Sequence, residues 1–351
     1  MTASSLFDVR PARATMRLTR DEVALVVLYV IAALVSWQFY GAGDFGCFYE
    51  TAAILGDTGR YQTSYAACSN LNLPHVTAAL IPFTFVPLPV AWALWQLLSL
   101  GALMVVWRYL PATPKDLLIP MIALSPALLS QIAMAQMAAL LAALVTAAWA
   151  AQRGDRPMAA GVLLGVAVAL KPFVLPVVVW WAVSRAGRAA AVAFTTAGCC
   201  IALGIAVLTM EPYITWLETT RGATWAHFGL NLSLFGTVSR LGPAGSPALW
   251  VCACAVVAAV TAACTLGRRS DAAWVVVLLA SILISPFGWA YYELIVAGPL
   301  VGAARDDGAL MRAAALLWLP PPLALANVAL APLGLILLWA VAARGARRRT
   351  A

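Results

Sequence analysis

The chain has 351 residues, of which 63% are hydrophobic, only 10% are charged, and the formal net charge is +8. Soluble domains carry about 25% charged residues, and a mean hydropathy of +0.90 leaves too little polar surface for one. A cytosolic enzyme, a secreted disulfide scaffold and a disordered chain are therefore excluded. What remains is an all-α protein that crosses a bilayer many times.

A bilayer core of about 30 Å takes about 20 helical residues per crossing. Backbone groups in lipid must bond internally, so these dense apolar runs read as helices, and they lack the alternation of a membrane barrel. In chain order the runs predict twelve spans: 22–40, 89–107, 117–131, 134–152, 157–170, 172–184, 189–209, 247–267, 272–286, 289–304, 313–326 and 328–343. The apolar stretch 76–88 reads as re-entrant or interfacial.

Basic residues concentrate in short cytoplasmic loops. With the N-terminus inside, 18 of the 22 Lys and Arg residues fall on that side, leaving Arg60, Lys171, Arg221 and Arg240 outside. Both termini are then cytoplasmic, with residues 344–351 a basic tail. A full crossing at 76–88 would split the basic residues between the faces. The positive charge reads as topology, not as nucleic-acid binding. The whole chain is one transmembrane domain, and its two long outer loops, 41–75 and 210–246, are where a site has room. Cys47 and Cys68 share the first loop and could pair in an oxidising compartment; the other five cysteines read as small packing residues within spans.

No phosphate-binding loop, dinucleotide-binding turn or His-Glu-x-x-His zinc motif occurs. With two histidines, His75 and His227, no metal cluster is expected, and no cofactor is implied. Candidate chemistry lies in a few charges.

Asp44, in GAGDFGCFYE, follows the first span and is either a general base or a helix-capping acid. Lys171 ends an apolar run before Pro172; it is a cation for a lipid phosphate or a lysine snorkelling to the interface. Glu293 lies inside a span, a functional position by default unless it is a helix-end carboxylate near water. The loop WLETTRGATWAHFGLNLSLFGTVSRL gathers Arg221, His227, Asn231, Ser233 and Arg240 with aromatic side chains that suit sugar rings or a membrane belt. Gln131 and Gln136 flank a turn and bond either a substrate or the backbone. Gly161 and Gly165 read as helix packing.

In order along the chain, these segments resemble glycosyltransferase family 87, the polyprenol-phosphate-mannose-dependent mannosyltransferases of the multi-spanning GT-C superfamily. The likeness rests on Asp44, Phe45 and Tyr49 after the first span, then on the proline-rich 74–95 with Pro87-Leu88-Pro89. Gln136, AAGVLLGVAVALKPF up to Lys171-Pro172, NLSLFG at 231–236 and SPFGWAYY at 285–292 complete it. The chain departs from the family's pattern at Ala135, Ala138, Leu232 and Ala290-Tyr291.

The resemblance implies inverting sugar transfer, mannose by preference, from a polyprenyl monophosphate donor to a glycolipid or glycan acceptor. The site would face outward from the plasma membrane. Asp44 would be the base and Lys171 the phosphate cation, with Arg221 or Arg240 as a second cation. Asn231, Ser233, Gln136, Tyr49, His227 and Glu293 would bind substrate. A lipid or small-solute transporter is the alternative, since helices broken at Pro172 and Pro286 and the buried Glu293 also suit one.

Overall fold

The computed structural model describes residues 19–61, 64–65, 68–109, 125–184, 186–222, 229–241, 246–304 and 331–348. Among them the chain is helical apart from one hairpin of two-residue strands. The helices are α1 (Arg20–Tyr40), α2 (Asp44–Thr58), α3 (Pro74–Ala78), α4 (Leu88–Tyr109), α5 (Pro126–Met134), α6 (Ala138–Arg153), α7 (Pro157–Leu170), α8 (Leu175–Val183), α9 (Gly187–Leu208), α10 (Glu211–Gly222), α11 (Leu234–Ser239), α12 (Pro247–Thr265), α13 (Asp271–Ile284), α14 (Ala297–Ala304) and α15 (Ala331–Arg348). Strands β1 (Ser64–Tyr65) and β2 (Cys68–Ser69) pair antiparallel, Ser64 opposite Ser69 and Tyr65 opposite Cys68. The described residues also include three 3-10 segments, Ile81–Phe85, Pro172–Val174 and Ala290–Val296.

Among the described residues, four helices, α1, α4, α9 and α12, are long and apolar enough to cross a bilayer. They match the spans read at 22–40, 89–107, 189–209 and 247–267. The spans at 134–152, 157–170, 172–184, 272–286 and 289–304 correspond to shorter apolar helices. Those at 117–131 and 328–343 are described only from 125 and 331, and 313–326 lies outside the described residues. The stretch 76–88 breaks into α3 and the 3-10 turn Ile81–Phe85, five residues each and neither long enough to cross.

Apolar side chains face both inward and outward, as expected where the solvent is lipid. The long helices leave Leu34, Leu203, Val207 and Val256 mostly exposed. The centre is α13, buried from Ala272 to Leu283, with the wholly buried Ala290–Ala304 behind it. Glycines let α7 and α9 touch. A Cβ on Gly161 would stand 2.6 Å from Val192 Cβ, and one on Gly165 2.6 Å from the Ala193 carbonyl. The small-xxx-small pair thus serves packing.

Charged residues pair helix ends that the sequence reading puts on one face. Arg153 Nη1 lies 2.8 Å from Asp271 Oδ2, joining the end of α6 to the start of α13. Glu22, which closes a capping box with Thr19 at the start of α1, lies 3.7 Å from Arg108 at the end of α4. Arg268 donates to the Ala346 carbonyl. Cys47 is disulfide-bonded, and the five cysteines of α9 and α12 are free thiols.

Candidate functional site

A helical hairpin returns to the end it started from, so the turn before α6 and the residue after α7 belong at the same end. Gln136, two residues before α6, and Lys171 are thus neighbours in the fold, and the structure adds Asp44 from the start of α2 to them.

Two tight turns deliver the contact. Helix α1 stops at Gly41 (φ +58°), and Gly43 (φ +55°) reverses the chain into α2 with Asp44 as its first residue. Gly43 admits no side chain: a Cβ would stand 2.6 Å from the Ala133 carbonyl and 2.9 Å from Met134. The second turn ends α5 at Ala135, which sits in the left-handed region at φ +48°. That conformation costs an alanine about 1 kcal/mol, and neighbours hold it. Trp95 Nε1 donates to the Ala135 carbonyl at 2.8 Å. Gln131 clamps the turn, donating to the Gln136 carbonyl at 2.6 Å and accepting from the Ala138 amide at 3.0 Å. Behind these, the Tyr29 hydroxyl donates to Gln96, which donates to the Ile132 carbonyl.

Gln136 Nε2, so placed, donates to Asp44 Oδ2 at 2.5 Å. A carboxylate only accepts, which fixes the amide with its oxygen turned away. That Oε1 is buried with no hydrogen-bond partner, which costs about 1–3 kcal/mol. Burial pushes the Asp44 carboxyl above the usual carboxylate range, while the Gln136 bond and the Lys171 charge pull it back. Lys171 ends α7 in extended backbone, φ −147°, because Pro172 disfavours helix at the residue before it. Burial lowers its ammonium to about 8, against the pull of Asp44. The two groups are thus an electrostatic pair in a partly desolvated site. Tyr291 packs edge-to-face on Tyr292, with ring centroids 4.8 Å apart. Tyr292 packs on Phe173, just beyond Lys171, with ring centroids 4.4 Å apart, so the 3-10 segments after α7 and after α13 close one side. The sequence reading missed both tyrosines as site residues; they carry no charge and look like membrane aromatics.

The remaining sequence candidates lie as follows. Tyr49 donates to the Val86 carbonyl at 2.9 Å. Asn231 donates to the Pro286 carbonyl and accepts from the amides of Ser233 and Gly288, while Ser233 caps α11 through the Gly236 amide. These bonds tie 229–236 to 285–289, and they bury Asn231 fully. Arg240 donates to the Asn231 carbonyl at 3.0 Å. Arg221 is exposed at the end of α10. Glu293 is buried in the segment Ala290–Val296. His227 lies outside the described residues.

The sequence profile of glycosyltransferase family 87 matches residues 71–286. The chain belongs to glycosyltransferase family 87. The family 87 match takes in Gln136, Lys171, Asn231, Ser233 and Arg240; it begins after Asp44 and Tyr49 and ends before Glu293. No curated protein and no solved structure matches the chain. Family and apolar helices together make it a multi-pass membrane glycosyltransferase, acting with a sugar donor and an acceptor.

Proposed function

We propose that this family 87 transferase moves a sugar, mannose by preference, from a polyprenyl monophosphate to a glycolipid or glycan acceptor at the outer face of the plasma membrane. The observation that carries the reading is the Asp44 carboxylate, held by Gln136 beside the Lys171 ammonium.

In the proposed step the acceptor O–H gives its proton to Asp44 as its oxygen bonds to the anomeric carbon. The bond from that carbon to the phosphate oxygen breaks, and configuration inverts. The departing lipid phosphate keeps the bonding electron pair, so it needs a cation, not a proton. Lys171 is that cation. A carboxyl raised by burial suits the base, because proton transfer is most effective when the catalytic pKa nears the working pH.

The test is transfer by purified protein from polyprenyl-phosphate mannose to candidate glycolipids. Asp44→Asn keeps the shape and loses the basic oxygen, so kcat should fall by about 10²–10⁴. Lys171→Ala should raise the donor KM by about tenfold, the loss of one charge-assisted phosphate contact. Wild-type transfer by Asp44→Asn would remove Asp44 as the base, and an unchanged donor KM in Lys171→Ala would remove the phosphate contact.

A further inference from the structure

Helix α7 ends at Leu170, so the carbonyls of its last turn lack amide partners within the helix. One of them, on Ala169, is two residues before Lys171. It is met by the imidazole of His75, from the start of α3, with Nε2 2.9 Å from the carbonyl oxygen. A carbonyl only accepts, so Nε2 carries the proton. The neutral ring then offers Nδ1 as an acceptor to the Tyr213 hydroxyl at 3.1 Å. The two rings stack, centroids 6.1 Å apart and 18° from parallel.

Tyr213 is on α10, and that helix is tied to the same loop a second time, by Trp216 Nε1 donating to the Leu71 carbonyl at 3.1 Å. The close fit also uses Gly204 of α9: a Cβ there would stand 2.5 Å from His75 Cβ and would collide with the Tyr213 hydroxyl. Helix α3 and the consecutive helices α9 and α10 thus converge on the last turn before Lys171. Where a helix ends governs where the next side chain stands, and Lys171 is that next side chain.

We propose that His75, oriented by Tyr213, is a positioning residue that caps α7 through Ala169 and thereby sets the Lys171 ammonium for a lipid-linked phosphate. The inference rests on reading Lys171 as the phosphate cation. A bond that only fastened α3 to the bundle would cost stability when lost and leave phosphate affinity alone.

Undecaprenyl phosphate, a polyprenyl monophosphate like the proposed leaving group, is the probe. Its affinity is measured on full-length protein in lipid nanodiscs, beside thermal unfolding of each variant. We expect Lys171→Ala to weaken binding about tenfold and His75→Ala about fivefold, with the double variant no weaker than Lys171→Ala, because coupled residues do not add. His75→Gln, whose amide can still donate to Ala169, should bind within about twofold of wild type. Tyr213→Phe removes one hydroxyl and should lose about twofold, but nothing in a Lys171→Ala background. It carries the test if His75→Ala does not fold.

Unchanged affinity in Lys171→Ala overturns the phosphate reading itself. If Lys171→Ala weakens binding, three results overturn the positioning role alone: wild-type affinity in both His75→Ala and Tyr213→Phe, additive losses, or equal losses in His75→Ala and His75→Gln.

Discussion

Asp44, Gln136 and Lys171 form a balance of three opposing effects on one carboxyl. Desolvation raises its proton affinity, and the amide and the ammonium lower it. Removing either polar partner therefore moves Asp44 further up. As the proposed base, Asp44 works only when ionised, so transfer is expected to fall as pH drops through its pKa. In Gln136→Met, which keeps the bulk and loses the donor, the acidic limb of kcat/KM should shift to higher pH by about one unit, as expected for one lost hydrogen bond to a charged acceptor. The measurement is kcat/KM against pH for both proteins, and coincident acidic limbs would exclude Gln136 as the group that tunes Asp44. Asp44 and Lys171 were legible in the sequence because charges are scarce and these two interrupt apolar runs. Their partnership was not. Nothing in the linear chain says that Gln136 would aim at Asp44, or that Asn231 and Ser233 would bond mainly to backbone, since a polar side chain near a turn fits either use.

At the scale of elements, the site depends on helices that stop in the right places. The apolar run 134–152 reads as one span, yet α6 begins only at Ala138, because α5 ends at Met134 and 135–137 form the turn that presents Gln136. The sequence shows where apolar residues lie but not where a left-handed alanine is held by neighbours, so this boundary was missed. The glycines of α7 were legible from spacing alone; their partner α9, which runs parallel to α7 with Gly161 against Ala189 and Val192 and Gly165 against Ala193 and Thr196, was not. Gly165→Ala should press its methyl into the Ala193 carbonyl and Thr196, each 2.6 Å from the new Cβ. Overpacking of this kind costs about 1–3 kcal/mol, so the unfolding temperature in detergent should fall by several degrees. Gly198→Ala, in α9 with nothing within 4 Å of its Cβ, is the control; it should hold or gain about 0.5–1 kcal/mol from reduced chain entropy. Equal destabilisation by both would mean that α7 and α9 do not need the close approach.

Across the whole molecule, α6 links two ends of different kinds. At its start is the Asp44 site, with a buried amide oxygen left unpartnered. At its end, about 24 Å away at 1.5 Å per residue, is a satisfied clamp. There Asp271 accepts from Arg153 at 2.8 Å and from Trp149 Nε1 at 2.9 Å, and the Arg153 guanidinium lies 5.1 Å from the Trp149 ring centroid. Gly302 makes room for both partners. On the proposed function, the clamp serves stability and the Asp44 end serves chemistry. Asp271→Asn keeps an acceptor for Trp149 and leaves Arg153 without its counter-ion, at a cost of about 1–3 kcal/mol. The unfolding temperature should therefore fall, while the donor KM and the acidic limb of the pH profile stay at wild-type values. They stay because the site's turn is locked by Trp95, Gln131 and the Tyr29–Gln96 pair, none of which reaches the clamp. Trp95→Phe is the converse variant: it loses the bond to the Ala135 carbonyl and part of the indole's packing on Phe45 and Phe83, and it should lower transfer where Asp271→Asn does not. Should Asp271→Asn change the donor KM as strongly as Trp95→Phe changes the rate, the two ends would be mechanically coupled through α6, and the division between stability and chemistry would fail.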